Sequence, residues 1–274
     1  MTLEKLFLAE HFGTRILFPQ IRYFMNFSIN LNKIALLRDS RGSDNPSIKD
    51  YALQSIDLGV DGLTLHPRPD LRHAKPSDIS MFDEICLKAN KEFNIEGNLF
   101  SPSSKDYPGF ISLVNDHNPH QVTLVPDADG QITSDHGWKI EQLDSIFKSE
   151  VSKFKKNIKH VSIFIDDDFS NFDKLNEIGI NSVEIYTGPF AEAIKDGKKH
   201  EIHSVQNKIS KIVESAKLNN LKVNAGHDLN LDNLPYLKEC GNIDEVSIGH
   251  AIIVDSLKYG FKDTINMYIE EIKK

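Results

Sequence analysis

Apolar and polar positions along this chain switch back and forth between two periods. From Met25 onward a short run rich in β-branched and aromatic residues recurs every few tens of residues, and each is followed by a stretch with helical spacing. The runs are Phe27–Leu31, Gly62–His66, Asn94–Leu99, Gln121–Pro126, Val161–Asp166, Ser182–Gly188, Lys222–His227 and Glu245–His250. Several read as near-continuous apolar stretches, as expected of strands buried on both faces. Between them Leu143, Ile146, Phe147 and Phe154 share one helical face, and Val205, Ile209, Ile212 and Ala216 share another. Residues 251–274 predict a closing helix.

Eight βα units in strict alternation imply a parallel sheet, and eight strands close a barrel. The expected fold is one α/β domain, a (β/α)₈ TIM barrel with extra helices, over residues 25–274. An open doubly wound sheet usually carries a glycine-rich phosphate loop after its first strand. Here Asn30-Leu31-Asn32-Lys33 follows instead, and the barrel is preferred. Residues 1–24 stand apart. Their apolar stretch Leu6-Phe7-Leu8-Ala9 is cut short by Glu10, His11 and Arg15, too early for a signal-peptide core. They read as a weakly amphipathic extension, or as residues outside the functional chain with Met25 as the effective start.

Composition narrows the function. At 274 residues with 39% hydrophobic and 26% charged, the chain can bury a large core. A net charge of −8 argues against nucleic acid as partner, because phosphate backbones need broad positive surfaces. No apolar run has the length of a membrane span. Cys86 and Cys240 are far apart in sequence, which fits a reducing cytoplasm and no disulfide framework.

In barrel enzymes the chemistry collects where strands end at their C-terminal side. Those positions carry Asn30, Asn32 and Lys33; His66 and Arg68, with Arg72 and His73 beyond; Glu96; Asp166; Glu184 and Thr187; Asn224, His227 and Asp228; and Gly249-His250. A single strand-end histidine is more often structural than catalytic, and an exposed arginine is more often a solvated charge. Glu96, set between Ile95 and Gly97, is harder to explain away, since burial is costly for a carboxylate and raises its pKa toward that of a general base. Lys33, Arg38, Arg41, Arg68 and Arg72 follow the first two strands and predict a local anion trap. Gly249-His250 opens the last helix, where free N–H groups and the helix dipole favour phosphate. His66 and His73 lie across a proline-containing loop with no completing ligand, so no catalytic metal or other cofactor is expected.

These segments also resemble a known family. Asn30-Leu31-Asn32-Lys33-Ile34-Ala35-Leu36-Leu37-Arg38-Asp39-Ser40-Arg41-Gly42, Gly59 to Arg68 with Arg72-His73, Asn94-Ile95-Glu96, Leu124-Val125-Pro126 with Thr133, Val161 to Asp166, Glu184 to Gly188, Val223 to His227 and Ile248 to Ile253 resemble, in order, the motifs of the pyridoxine 5′-phosphate synthases. The resemblance implies a barrel enzyme of vitamin B6 biosynthesis. It would condense 1-deoxy-D-xylulose 5-phosphate with 3-amino-2-oxopropyl phosphate to pyridoxine 5′-phosphate, phosphate and water. It implies His66 and Glu96 as proton acceptors and His227 as proton donor. Asn30, Asn32, Lys33, Arg41, Arg68, His73, Thr133, Asp228, Gly249 and His250 would bind substrate. A cytoplasmic, metal-free homo-oligomer, typically an octamer, is implied as well. The chain departs from the commonest family pattern at Asn32-Lys33, where Asp-His is usual, at Asp228, where Gly is frequent, and in residues 1–24, which have no counterpart. Another sugar-phosphate isomerase or epimerase, or a barrel that binds phosphorylated ligands without turnover, are the competing interpretations.

Overall fold

Most barrel strands alternate between an apolar and a polar side, and this alternation decides what lies inside. A computed structural model describes residues 25–117, 119–128 and 130–274, and the backbone of 7–11 and 14–18. Its barrel strands are β1 (Asn26–Asn30), β2 (Gly62–Leu65), β3 (Glu92–Gly97), β4 (Gln121–Leu124), β5 (His160–Ile165), β6 (Ser182–Tyr186), β7 (Lys222–Gly226) and β8 (Glu245–Ile248). Each pairs in parallel with the next, and β8 closes on β1 with Val246 opposite Phe27 and Ile248 opposite Ile29. All eight expected strands are present, most of them ending a residue or two before the expected limit. Ahead of the barrel, Phe7–His11 and Thr14–Phe18 form an antiparallel pair. The side chains of the expected amphipathic extension lie outside the described residues.

The strands are buried on both faces as expected, but the face turned into the barrel is more polar than near-continuous apolar runs would give. Phe27 and Ile29, Leu63 and Leu65, Phe93 and Ile95, Val122 and Leu124, and Val183 and Ile185 are buried in the apolar core that the surrounding helices complete. Their alternating neighbours turn into the barrel, and most are polar. A TIM-barrel interior is ordinarily filled with branched aliphatic side chains. Here Ser28 Oγ lies 2.8 Å from Thr64 Oγ1, Thr123 Oγ1 donates to Asn94 (3.1 Å) and Glu184 (3.3 Å), and Asn224 donates to Gln121 (3.0 Å). At the floor Lys222 Nζ reaches Glu245 (2.7 Å), Gln121 (3.1 Å) and Glu92 (3.4 Å). A polar core holds only if its groups are paired, and this one is cross-linked from strand to strand.

Charge inside the barrel is unbalanced. Burial works against the Lys222 ammonium, but Glu245 and Glu92 outweigh it and raise its pKa. Two carboxylates share that one ammonium, and burial lifts Glu245 to about 7 despite it. Glu184 is pushed up to about 7 by burial and by Glu245. Gly226 makes room for this carboxyl, since a β-carbon there would stand 2.2 Å from Glu184 Oε1.

The helices that enclose the barrel begin and end on local signals. Helix α2 (Ile48–Leu58) starts where Ser47 accepts the Asp50 N–H, and ends at Gly59 with φ +101°. Helix α5 (Ser145–Val151) starts where Asp144 accepts the N–H groups of Ile146 and Phe147. It buries Phe147 and Val151, but Ile146 is exposed, so the expected four-residue face is broken: the helix stops before Phe154. Helix α8 (Lys199–Leu218) buries Ile209, Ile212 and Ala216 as expected, with Val205 packed at its margin.

Because the Glu184 pKa is raised above its unfolded value, its contribution to stability is complete below about 4.5 and is lost as pH climbs through about 7. Glu184→Gln should therefore gain on the parent between about pH 5 and pH 8, by roughly 3 kcal/mol at most. Denaturation curves that stay parallel across that range would contradict it. The barrel also closes through Asn26–Asn30 without pairing to the strands ahead of it. A chain beginning at Met25 should melt within a few degrees of the full chain, and aggregation of the shorter form would show that the extension is structural.

Candidate active site

The C-terminal ends of β1, β2 and β3 are laced together by asparagine side chains. Asn30 Oδ1 accepts the Asn32 N–H at 3.0 Å, and Asn32 Oδ1 accepts the His66 N–H at 3.0 Å. Asn30 Nδ2 donates to Glu96 Oε2 at 3.3 Å. Asn32 thus uses its oxygen to brace the backbone and keeps its amide N–H groups for the rim. Lys33, in the first turn of α1 (Asn32–Asp39), is half-buried and near enough to help depress the His73 pKa.

His66 is buried between two carboxylates. Its Nδ1 lies 3.8 Å from Glu96 Oε2, and its Nε2 lies 3.5 Å from Asp127 Oδ2. Burial first, then Arg68, His73 and Arg72, hold its pKa well below the ordinary histidine value, so the imidazole is neutral at neutral pH. Glu96 moves the opposite way: burial, then Glu184 and Asp127, raise it well above the carboxylate range despite Arg68. The mouth therefore holds an imidazole kept unprotonated beside a carboxyl whose hold on its proton is strengthened. Asp127 pairs with Arg68 Nη2 and accepts Ser134 Oγ at 2.9 Å. Burial outweighs that ion pair on both partners, raising Asp127 and lowering Arg68, but a guanidinium starts so high that it stays charged. Asp127 was missed from the sequence. Its signal was a carboxylate immediately after Pro126, at the end of β4, where a barrel rim carries chemistry.

His73 accepts the Ala74 N–H on Nδ1 at 2.9 Å, so its neutral form carries the proton on Nε2. Burial, Arg68 and Arg72 lower its pKa to about 4, which makes it an uncharged donor at neutral pH. The loop after β4 crosses the same ground. Arg72 donates to the carbonyls of Gln131 (2.5 Å) and Ile132 (3.0 Å), and Arg68 to Gln131 (3.2 Å). The far end of this loop is held by Asp166, which accepts Gly137 N–H at 2.8 Å and Lys139 Nζ at 2.6 Å. Asp166 is thus an anchor for that loop.

On the opposite rim, Thr133 Oγ1 lies 2.9 Å from His227 Nε2, and Asp228 Oδ2 lies 3.1 Å from His227 Nδ1. Thr187 Oγ1 donates to the carbonyls of Gly226 (2.8 Å) and His227. Gly249, beside Asn30, is the N-cap of α10 (His250–Tyr259), whose start has no side-chain cap. A β-carbon at Gly249 would stand 3.0 Å from Asn30 Cβ and O, so the glycine suits the close packing of β8 on β1. His250 is exposed and acts on Asp228 through space.

The expected trap of five cations is smaller than five. Arg38 is buried in a double ion pair with Asp78 (2.7 and 3.0 Å), bonds Asp39 (3.0 Å) and donates to the His73 carbonyl (3.2 Å). It stabilises the segment that carries His73 and does not face a ligand. Arg41 lies on the exposed turn after α1, with no side-chain hydrogen bond among the described residues. Lys33, Arg68 and Arg72 remain on the rim.

Comparison with known proteins shows the family. Residues 27–274 match the family described as pyridoxal phosphate biosynthesis protein PdxJ. The pyridoxine 5′-phosphate synthase of Cytophaga hutchinsonii is 42% identical over 248 residues, covering 90% of this chain and 98% of that protein. The synthase of Xanthomonas axonopodis pv. citri is 38% identical, covering 90% and 96%. Among solved structures, the chain resembles tryptophan synthase of Mycobacterium tuberculosis (TM-score 0.57, 9% identity, 92% of this chain and 94% of that one). It also resembles thiamine phosphate pyrophosphorylase of Pyrococcus furiosus (TM-score 0.55, 10% identity, 92% and 98%). These last two likenesses speak to the barrel alone. No helix among the described residues is long and apolar enough to cross a membrane. With its eight-stranded barrel, its ordered strand-end motifs and its near-complete match, the chain belongs to the PdxJ family of pyridoxal phosphate biosynthesis proteins.

Proposed function

We propose that the protein is a pyridoxine 5′-phosphate synthase that condenses 1-deoxy-D-xylulose 5-phosphate with 3-amino-2-oxopropyl phosphate, releasing phosphate and water. The observation that carries the proposal is the grouping of His66, Glu96 and His227 on one rim, between a cationic end and the start of a helix. One end is Lys33, Arg68 and His73. The other is the start of α10 at Gly249-His250, next to Asn30. Two phosphorylated substrates held by their phosphates bring an amine and a ketone together as neighbours, which replaces a bimolecular encounter by a positioned one.

The chemistry needs an acid and a base at each step. The amine adds to the ketone, hydroxyl and phosphate groups leave, and the ring closes and aromatises, each with a proton moved. Neutral His66 accepts a proton from the reacting carbon or nitrogen. Glu96 starts protonated, gives its proton to a leaving oxygen and then accepts the next, so it serves as base only within the cycle. His227 supplies a second proton from the opposite side. A histidine kept unprotonated and a carboxyl raised above its ordinary range give the site a base and an acid at the same pH. The catalytic unit is residues 25–274, acting on small phosphorylated substrates, with Arg41 on the exposed turn after α1 as a further substrate-binding residue.

Incubation with both substrates should produce pyridoxine 5′-phosphate, followed by absorbance, and equimolar free phosphate. Conversion of deoxyxylulose phosphate alone, with no amine present, would instead indicate an isomerase or epimerase. Glu96→Gln is nearly isosteric and should keep the fold while losing about 10²–10⁴-fold in turnover. Retention of more than half the parent rate would remove Glu96 from the mechanism. Lys33→Ala should raise KM for deoxyxylulose phosphate more than KM for the amine, since it removes a contact to one ligand. Restoring the commoner pair with Lys33→His and Asn32→Asp should recover much of that loss, because the introduced carboxylate keeps an oxygen for the His66 N–H. Unchanged KM values in Lys33→Ala would make the lysine a solvated rim charge.

A further inference from the structure

His227 and Asp228 are consecutive non-glycine residues in left-handed backbone, with φ +83° and +54°. That conformation is unfavourable for a residue with a β-carbon and is kept only where the surroundings impose it. Here they do. Thr187 Oγ1 holds the carbonyls of Gly226 and His227, and Asn233, itself 1% exposed, donates to the Asp228 carbonyl at 2.9 Å. The consequence is a particular orientation of one ring. His227 Nδ1 is turned onto Asp228 Oδ2 at 3.1 Å, its Nε2 onto Thr133 Oγ1 at 2.9 Å, and its edge packs on the Tyr186 ring at 5.4 Å and 72°.

Building on the activity proposed above, we infer that Asp228 is a positioning residue that fixes the tautomer and aim of His227. A carboxylate accepts and cannot donate, so neutral His227 carries its proton on Nδ1 and presents the Nε2 lone pair to Thr133 and the mouth. When protonated, it delivers its proton from Nε2, on the substrate side, and Nδ1–H never leaves Asp228. The His227 hydrogen bond, the largest influence on it, holds the Asp228 carboxyl below its ordinary range, so the carboxylate is ionised when the ring needs it. The other groups facing this pair are Tyr186 from β6, His66 from β2 and His250 from α10. None of these makes a hydrogen bond to Nδ1. A strained backbone that a glycine would relax is thereby retained in exchange for an aspartate at this position.

The test compares Asp228→Asn, Asp228→Gly and Asp228→Glu by imidazole ¹⁵N NMR, melting temperature and steady-state kinetics with both substrates. In the parent, neutral His227 should be the Nδ1–H tautomer. Asp228→Asn should lose that preference, and kcat should fall about 10- to 100-fold with little change in KM, as when the partner of a functional histidine is removed. Asp228→Gly should melt higher than the parent, because the left-handed position is relieved, yet show the same loss of tautomer and of kcat. Asp228→Glu should recover part of both. An unchanged tautomer in Asp228→Asn, or an Asp228→Gly variant with the parent's kcat, overturns the assignment. If the parent itself turns over neither substrate, the proposed activity fails, and the tautomer measurement still decides whether Asp228 positions His227.

Discussion

One ammonium inside the barrel, Lys222, sets the conditions for the rest of the molecule. Glu92, Glu96, Glu184 and Glu245 all lie on inward positions of their strands, and Lys222 touches only Glu92 and Glu245. A low-dielectric interior with more carboxylates than cations cannot keep them all ionised, so burial raises Glu184, Glu96 and even Glu245, which Lys222 touches. Glu96 is the one that opens on the mouth, 12% exposed, and after burial Glu184 is the largest influence on it. The carboxyl of the candidate site is thus tied to the charge balance inside the barrel.

The same logic, with opposite sign, applies to the histidines. Arg68 and Arg72 stand over the rim and, with burial, keep His66 and His73 neutral. They do this while engaged elsewhere, Arg68 on Asp127 and both on the Gln131 carbonyl. A rim arginine therefore has two effects: it bonds the loop that crosses the site, and it tunes the bases beneath it. Asp127 links the two, since it meets both Arg68 and His66.

Much of this was legible in the sequence, because strand, helix and strand-end positions follow from local periodicity. The eight strands and their order needed only alternation and spacing, and the rim histidines and Glu96 followed from strand ends. What was misread shows where local pattern stops. The alternation inside Asn26–Asn30 or Gly62–Leu65 was in plain view, yet several strands read as near-continuous apolar stretches because inward members such as Ser28 and Thr64 are small and uncharged. Arg38 looked like a rim cation because its partner Asp78 is 40 residues away. The left-handed turn at His227-Asp228 left one faint mark, the glycine frequent in the family at the place of Asp228, because the turn is held by Thr187 and Asn233 from other segments.

Everything at the mouth depends on where protons sit at neutral pH before any substrate binds. Neutron diffraction from crystals of the full chain grown near neutral pH reads those positions directly. It should find Lys222 fully protonated, His66 with a single ring proton and a proton on Glu96. An ionised Glu96 beside a doubly protonated His66 would mean that the mouth is an ordinary ion pair, and that the imbalance within the barrel does not govern the site.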